Sequence, residues 1–348
     1  MARNWDDKLK TTMFLTAAGT GMIAAAGNIL YDYVINRNRN YMFGPLKKHK
    51  ESVSVGEFIR MELSEETIAW AEKTRITQRQ TNAYDGTLLN AYCFEQPKPT
   101  QRWLIAVHGY GQAASAMFPF VKPFYEAGFN VLIPECRGCG RSGGKYYGLG
   151  WGDRQDVIKW ARMIAAEQLN AEIILFGIST GADAVVMASG EESLPANVRA
   201  VISDSAYSRL TDESNYLLKR WNRAAGLLTF AVSLVTYLRA GYSFAQASAV
   251  NQTAKSHTPT LFIHGGCDDF FPTEMVYELY EAAECPKDLL VIPEGTHGYS
   301  MFADYAQYWE RIWKFTDVYL PDKANEGSYL SRLKHQIRRF RKSDKNQK

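Results

Sequence analysis

The chain has 348 residues, enough for one large domain or two ordinary ones. Its hydrophobic fraction of 46% and charged fraction of 22% are ordinary for a globular protein with a sizeable core. Five cysteines form no disulfide framework, and Cys136-x-x-Cys139 lacks the second ligand pair of a zinc site, so we expect reduced thiols and neither a metal nor an organic cofactor.

An apolar stretch covers residues 12–35. About 20 apolar residues span a bilayer, and this stretch is marginal because Asn28 and Asp32 interrupt its second half. No clear signal-peptide cleavage site follows it. We therefore expect residues 1–36 to form an uncleaved, single-pass membrane anchor whose orientation is left open. The alternative is an amphipathic helix packed on the domain.

Residues 37–73 have the composition of a linker followed by a short helix. Strands are then expected over 74–81 and 87–94, joined by a turn at 84–86. From residue 103 strands and helices alternate. The expected strands are 103–107, 129–133, 173–176, 198–203, 260–264 and 289–292, and the expected helices are 112–127, 153–168, 180–188, 273–283 and 305–319. This alternation predicts a mostly parallel, doubly wound sheet over residues 74–322, with ligands at the carboxyl ends of its strands.

The alternation breaks at residues 207–257, which contain many apolar residues and no strand signal. We expect two or three helices inserted between strands as a helical cap. Such a cap can act as a lid over a site, or its helices can simply pack on the sheet. Both alternatives remain open from the sequence.

Residues 323–348 carry nine Lys or Arg and two acidic residues, although the whole chain has a net charge of only +3. Leu330, Leu333, Ile337 and Phe340 recur at spacings of three and four. This pattern predicts a basic amphipathic helix that lies on anionic lipid, with a solvated helix as the alternative. Together with residues 1–36, it indicates a membrane-associated protein. No recognised nucleic-acid-binding fold surrounds the tail, so no nucleic-acid partner is expected.

The sequence Gly177-Ile-Ser-Thr-Gly181 lies between an apolar strand and a helix of small residues. A serine on such a strand-to-helix turn is exposed at the N-terminus of the helix, and glycines leave room for the neighbouring backbone. A serine hydroxyl needs a base to remove its proton, and histidine is the usual one. Of six histidines, His297 follows the last predicted strand, at the edge of the sheet where it can reach Ser179.

A carboxylate must hold the histidine in its correct tautomer. Asp268 and Asp269, after the preceding strand, are both candidates. The order of nucleophile, acid and base is that of the α/β-hydrolase triad. For the oxyanion, we expect one backbone N–H from Thr180 and a second from Tyr110, in the loop after strand 103–107.

Across residues 74–320 the chain resembles the α/β-hydrolase superfamily, in particular the bacterial membrane-associated serine hydrolases described as cell-surface or YqkD-like. The motifs that carry the resemblance are His108-Gly-Tyr-Gly111, Glu135-Cys-Arg-Gly-Cys-Gly-Arg-Ser142, Gly177-Ile-Ser-Thr-Gly181, His264-Gly-Gly-Cys-Asp268 and His297. The resemblance implies Ser179 as nucleophile, His297 as base and Asp268, rather than Asp269, as the acid. Thr180 replaces the commoner methionine, and Glu135 replaces an Asp of structural role.

We therefore expect a serine hydrolase that cleaves a small-molecule or lipid-like carboxylic ester through an acyl-enzyme. Peptidase, thioesterase and lipase activities on the same triad are alternatives. A membrane-tethered scaffold with a vestigial site is a further hypothesis of a different class.

Overall fold

A computed structural model describes residues 21–39, 65–220 and 224–321. Eight strands form one sheet. In chain order they are β1 (Ile76–Asn82), β2 (Leu88–Phe94), β3 (Arg102–Val107), β4 (Asn130–Glu135), β5 (Glu172–Ile178), β6 (Val198–Asp204), β7 (Thr260–Gly265) and β8 (Lys287–Ile292). Their order across the sheet is β1-β2-β4-β3-β5-β6-β7-β8.

The sheet is mostly parallel, as the alternation of strands and helices predicts. β2 runs antiparallel to both β1 and β4, whereas every pair from β4 through β3 to β8 is parallel. The parallel strands β4 and β7 are buried along their whole length, which explains their continuous apolar runs. Their carboxyl ends share one edge of the sheet, where the loops that follow can meet.

Helices cover both faces of the sheet. They are α1 (21–34), α2 (Glu65–Lys73), α3 (Phe118–Glu126), α4 (Trp151–Glu167), α5 (Thr180–Ser189), α6 (Leu210–Lys219), α7 (Ala225–Ala240), α8 (Ala249–Thr253), α9 (Glu274–Ala282), α10 (Ser300–Ala303) and α11 (Tyr305–Tyr319). One core cluster includes side chains of α4 and α5, and the other includes side chains of α3 and α11. The protein therefore has the doubly wound architecture.

The helix expected over 112–127 is shorter than predicted. A 3-10 turn covers Ala114–Met117, and α3 begins only at Phe118. Pro119 lies in the first turn of α3, where proline is favoured because the missing N–H has no helical partner to lose. The apolar periodicity continues across the 3-10 turn, so it could not locate this boundary.

The insertion at 207–257 contains α6, α7 and α8 and no strand among its described residues. The short helix after the linker is α2. Residues 40–64 of the linker and the predicted basic helix of 323–348 lie outside the described residues.

The predicted N-terminal anchor is only partly described, because residues 1–20 lie outside the described part. Helix α1 packs on α7 with close backbone contact: a Cβ on Gly27 would lie 2.6 Å from the Ala231 carbonyl oxygen. Asp32 forms an ion pair with Arg239 of α7 at 3.3 Å. Tyr31 and Ile35 are buried in the core.

No helix within the described residues has the length and apolar character needed to cross a bilayer. The membrane-spanning helix expected over residues 1–36 is therefore not supported by its described part. The physical reason is visible at Asn28 and Asp32, the two polar residues that interrupt the apolar stretch. Both accept hydrogen bonds from Arg239, so they belong to a helix packed on protein. This matches the alternative of an amphipathic helix.

The packing of α1 makes a testable prediction. Ile35 is fully buried, so Ile35→Ala should lower the free energy of unfolding by about 2–4 kcal/mol, through lost apolar burial and a residual cavity. Ile29, on the same segment, is 68% exposed, so Ile29→Ala should change it by less than about 0.5 kcal/mol. Urea unfolding measures both variants. Equal effects would contradict the docking of this segment on the domain.

Candidate active site

Ser179 lies in the turn between β5 and α5, in a backbone conformation that non-glycine residues rarely adopt. Its φ is 57° and its ψ is −128°. Such a conformation costs roughly 1–3 kcal/mol and persists only where the surrounding packing enforces it. The serine directly precedes α5, so its side chain lies at the N-terminal end of that helix.

Close backbone packing enforces this turn. A Cβ on Gly177 would lie 2.2 Å from the Gly181 carbonyl oxygen, and one on Gly181 would lie 2.2 Å from the Val107 carbonyl oxygen. The loop after β3 also reaches the serine, because a Cβ on Gly109 would lie 3.2 Å from the Ser179 Cβ. No Cβ fits at either glycine of the Gly-x-Ser-x-Gly sequence, so both glycines are required. The turn that carries Ser179 therefore packs tightly against the end of β3.

Ser179, His297 and Asp268 form a continuous hydrogen-bonded chain. The distance from His297 Nδ1 to Asp268 Oδ2 is 2.8 Å, and that from His297 Nε2 to Ser179 Oγ is 2.8 Å. An ionised carboxylate only accepts hydrogen bonds, so Nδ1 carries the proton and Nε2 of the neutral ring accepts from the serine hydroxyl. This tautomer leaves Nε2 able to remove the serine proton.

Asp268 is buried and held by several donors. Its Oδ1 accepts from the backbone N–H groups of Phe270 at 2.9 Å and Phe271 at 2.8 Å, and His264 Nε2 lies 3.3 Å from its Oδ2. Burial alone would raise the pKa of Asp268. The hydrogen bonds and charges of His264 and His297 outweigh burial and hold this pKa well below its usual range. The carboxylate therefore remains ionised opposite His297.

Asp269, the other candidate acid, has a different environment. Its carboxylate forms an exposed ion pair with Arg220 at 3.1 Å. The geometry thus brings Asp268, and not its neighbour, into contact with His297.

The His297 ring is enclosed by aromatic side chains. The ring of Phe271 lies 4.5 Å from it and that of Phe270 lies 4.9 Å away, measured between centroids. The following residue, Gly298, donates its N–H to Ser205 Oγ at 3.2 Å. These contacts fix the position of a loop that would otherwise leave the base free to move.

Tyr110 and Thr180, expected to supply the oxyanion donors, both border the same cavity next to Ser179. The loop that carries Tyr110 is fixed by His108, which is fully buried. His108 Nδ1–H donates to the Gly109 carbonyl at 2.8 Å, and its Nε2 accepts from the Cys136 N–H at 3.1 Å. Burial lowers the pKa of His108, which keeps the ring neutral for both contacts.

Other buried carboxyl groups surround the site. Asp204 accepts from the Tyr308 hydroxyl at 2.9 Å and from Ser205 at 3.1 Å, and burial raises its pKa to about 6. Asp183, in the first turn of α5, accepts from the Tyr207 N–H at 3.0 Å, and burial raises its pKa well above the usual range. Asp268 differs from them in having two histidines as partners.

A mostly apolar cavity, open to solvent, lies beside the site, and Thr180 and Phe271 are among the residues that line it. Its wall includes Thr180, which follows Ser179, and Tyr110 in the loop after β3. Helices α6 and α7 of the insertion and helix α1 also contribute to the wall. The residues from α1, α6 and α7 are Leu30, Val34, Leu210, Glu213, Ser214, Leu217, Leu218 and Val232. The insertion therefore lines a binding site as well as covering the sheet.

Several residues around the triad were not singled out by the sequence. Phe270 and Phe271 lie two and three residues after Asp268, but nothing in their spacing indicates that their N–H groups bind its carboxylate. The role of Glu213 in the cavity wall could not be recognised from the sequence, because acidic residues are common in the first turn of a helix. His264, by contrast, belongs to the sequence motif His264-Gly-Gly-Cys-Asp268, and only its contact with Asp268 was not predicted.

Comparisons with known proteins agree with the fold. Residues 98–241 match the family described as "Serine aminopeptidase, S33". The chain is 27% identical over 224 residues to the uncharacterized protein YqkD of Bacillus subtilis, covering 64% of this chain and 73% of YqkD. The Pyrococcus furiosus esterase Pf2001 superposes with a TM-score of 0.58 at 20% identity, over 72% of this chain and 95% of the esterase. A puromycin-hydrolyzing peptidase of Mycobacterium tuberculosis gives 0.55 at 14% identity, over 72% of this chain and 40% of the peptidase.

The two neighbouring acids provide a matched test of the site. Asp268→Asn should slow the reaction of Ser179 with a fluorophosphonate by about 10³–10⁴, because the amide no longer fixes the His297 tautomer. Asp269→Asn should change this rate by less than about twofold, since its carboxylate pairs with exposed Arg220. The rates are measured by gel fluorescence on purified protein. Similar losses in both variants would refute the assignment of Asp268.

The change of the free energy of unfolding with pH should depend on Asp268. The pKa of Asp268 is lower in the folded state than its unfolded value of about 3.9, so its contribution is complete above that pH and is lost as pH falls below it. Asp268→Asn should therefore show a smaller loss of stability between pH 6 and pH 3 than the wild type. Thermal unfolding across this range measures the difference, and parallel curves for the two proteins would contradict it.

Proposed function

We propose that this chain, which has the α/β-hydrolase fold and matches a serine aminopeptidase family over residues 98–241, is a serine hydrolase acting on carboxylic esters through an acyl-enzyme. The observation that carries the proposal is the chain of two 2.8 Å contacts that joins Asp268, His297 and the hydroxyl of Ser179. The strained turn at Ser179 supports it, since strain of this kind is concentrated at functional sites.

In the acylation step, His297 Nε2 takes the proton of Ser179 as Oγ attacks the ester carbonyl carbon. The negative charge that develops on the carbonyl oxygen is stabilised by the backbone N–H groups of Thr180 and Tyr110. Asp268 stabilises the imidazolium without taking its proton. His297 then gives the proton to the leaving alkoxide, and the alcohol departs.

Deacylation repeats these steps with water. His297 removes a proton from the water as its oxygen attacks the acyl carbon, and the second oxyanion is bound by the same two N–H groups. Collapse of this intermediate releases the carboxylic acid and returns the proton to Ser179. Each half-reaction is balanced, and this scheme uses only protein groups and water.

The apolar wall of the cavity favours an ester with a hydrocarbon acyl group. Leu30, Leu217 and Val232 surround the space beside Thr180. Burying an acyl chain there contributes about 0.8 kcal/mol per CH₂ group. Solved structures of similar fold include a protein named as an esterase and one named as a peptidase. Peptidase, thioesterase and lipase activities use the same triad chemistry. They remain alternatives.

A fluorophosphonate probe and a substrate panel test the proposal. Wild-type protein should label, and Ser179→Ala should lose labelling and reduce ester hydrolysis by at least about 10³-fold. The panel contains p-nitrophenyl esters of varied acyl length, with matched amides and thioesters, and kcat/KM should be highest for esters. Equal labelling of the variant would sink the serine-hydrolase proposal and favour a scaffold, and higher kcat/KM on amides would favour the peptidase.

We also propose that one face of the protein, the α1–α7 face, lies on lipid. It consists of Met22, Ile29, Phe230, Leu234 and Leu238, which are apolar and exposed on the two packed helices. Several exposed apolar side chains on two packed helices are typical of interaction surfaces. Helices α1 and α7 also contribute to the wall of the apolar cavity proposed to hold the acyl group, which we call the acyl cavity. A lipid-derived ester would therefore reach the triad from this side. The terminal residues predicted to bind lipid lie outside the described residues.

Vesicle binding tests this proposal in the full-length chain. Phe230 and Leu238 are 62% and 73% exposed, so the double variant Phe230→Glu, Leu238→Glu should sediment much less with anionic phospholipid vesicles than the wild type. Leu169 is 83% exposed but lies just beyond the end of α4, so Leu169→Glu serves as the control and should bind like the wild type. Unchanged sedimentation of the double variant would contradict the proposed lipid face.

A further inference from the structure

Glu213 is a buried acid in the wall of the acyl cavity. It lies in the first turn of α6 and is only 3% exposed. Leu210 and Leu217, one turn before and one turn after it, line the same cavity. Glu213 thus contributes an acidic residue to a mostly apolar wall, with both carboxyl oxygens buried in that wall.

Neither carboxyl oxygen of Glu213 has a hydrogen-bond partner within the described residues. The neighbouring hydroxyl of Ser214 is already paired with Thr229 Oγ1 at 3.1 Å. The opposing charge that acts on Glu213 is that of Arg220, whose guanidinium is bound to Asp269 by contacts of 3.0 and 3.1 Å. A buried polar group without a partner is costly, so its presence in a binding cavity needs an explanation.

The acid is neutral at pH 7. Burial, together with the charge of Asp268, raises the pKa of Glu213 to about 9, and the charge of Arg220 only partly opposes this rise. A neutral carboxyl group offers one O–H donor and one carbonyl acceptor. A hydroxyl group also offers a donor and an acceptor, so the two groups can satisfy each other with a pair of hydrogen bonds.

An ammonium group fits this place poorly. It has three donors and no acceptor, and the surrounding wall of Leu210, Leu217 and Val232 could not satisfy the other two donors. Binding it would also require the buried acid to ionise.

We propose that Glu213 is a specificity-determining residue that hydrogen-bonds a hydroxyl group carried on the acyl chain of the substrate. This inference rests on the proposed ester hydrolysis at Ser179. The carboxyl group is already buried without a partner in the free protein, and an unsubstituted acyl chain of the same length would leave it so. A site built to bind a substrate hydroxyl rejects the analogue that lacks it far more strongly than an apolar pocket rejects an extra hydroxyl.

The experiment compares p-nitrophenyl octanoate with its monohydroxy isomers, the hydroxyl being moved from C3 to C8. In the wild type, one positional isomer should have a kcat/KM about 10- to 100-fold above that of the plain octanoate. Glu213→Leu should abolish this preference, because leucine offers neither donor nor acceptor. Glu213→Gln should keep most of it, because the amide offers both. Asp212→Asn is the matched control on the exposed side of α6 and should leave the ratio unchanged.

A binding measurement separates this inference from the proposed chemistry. In Ser179→Ala protein, the preferred hydroxyoctanoic acid should raise the Tm more than octanoic acid does, and adding Glu213→Leu should remove the difference. Glu213→Met replaces Glu213→Leu if the latter does not fold. No hydroxyl preference in either measurement, or a preference that survives Glu213→Leu, would overturn the inference while leaving ester hydrolysis intact. A Glu213-dependent preference for aminoacyl esters would also overturn it. Failure of every ester to react would instead count against the proposed function.

Discussion

The contact between the backbone of the serine turn and the end of β3 determines how the site is built. Gly181 lies so close to the Val107 carbonyl that no side chain fits between them. This contact holds Ser179 at positive φ and at the same time brings the loop of Gly109 and Tyr110 against the serine. Ser179 and the loop of Tyr110 are therefore positioned by one piece of backbone packing. His297 and Asp268 need only to lie at the same edge of the sheet.

Much of this arrangement could be predicted because it depends on local sequence and on one topological rule. Short apolar runs locate the strands, and the carboxyl ends of parallel strands meet at one edge. The rule alone brings Ser179, Asp268 and His297 to that edge, and the two contacts that join them are each 2.8 Å long. The resemblance to the superfamily was needed to choose Asp268 over Asp269, since adjacent residues in a loop differ in environment and not in spacing.

The features that escaped prediction depend on contacts between distant parts of the chain. An apolar run near the N-terminus looks the same whether it enters lipid or packs on protein, and only Arg239, about 210 residues away, shows that Asn28 and Asp32 are bound. Likewise, the sequence shows Glu213 only as an acidic residue in the first turn of a helix. The folded structure shows that it is buried in the wall of the cavity. Tertiary partners decide both cases, and hydropathy in a short window contains no information about them.

Charge around the site is controlled by which carboxyl groups have cationic or donor partners. Asp183 and Glu213 are buried with few partners and are shifted toward the neutral form, whereas Asp268 has two histidines and two backbone donors. The negative charge of Asp268 is thus held directly against His297. Additional ionised acids nearby would weaken the stabilisation of a developing oxyanion, so their neutralisation serves the same chemistry.

The position of α1 also affects the order in which the molecule can assemble. Its carbonyl at Val34 accepts a hydrogen bond from the Tyr110 hydroxyl, and Arg37 binds the carbonyls of Gly140 and Ser142. Helix α7, its main neighbour, follows about 190 residues later. During synthesis on a ribosome, α1 emerges before the sheet and the insertion, and it therefore precedes the surface on which it docks. The wall of the cavity is therefore complete only when α1 meets a helix that is synthesised about 190 residues later.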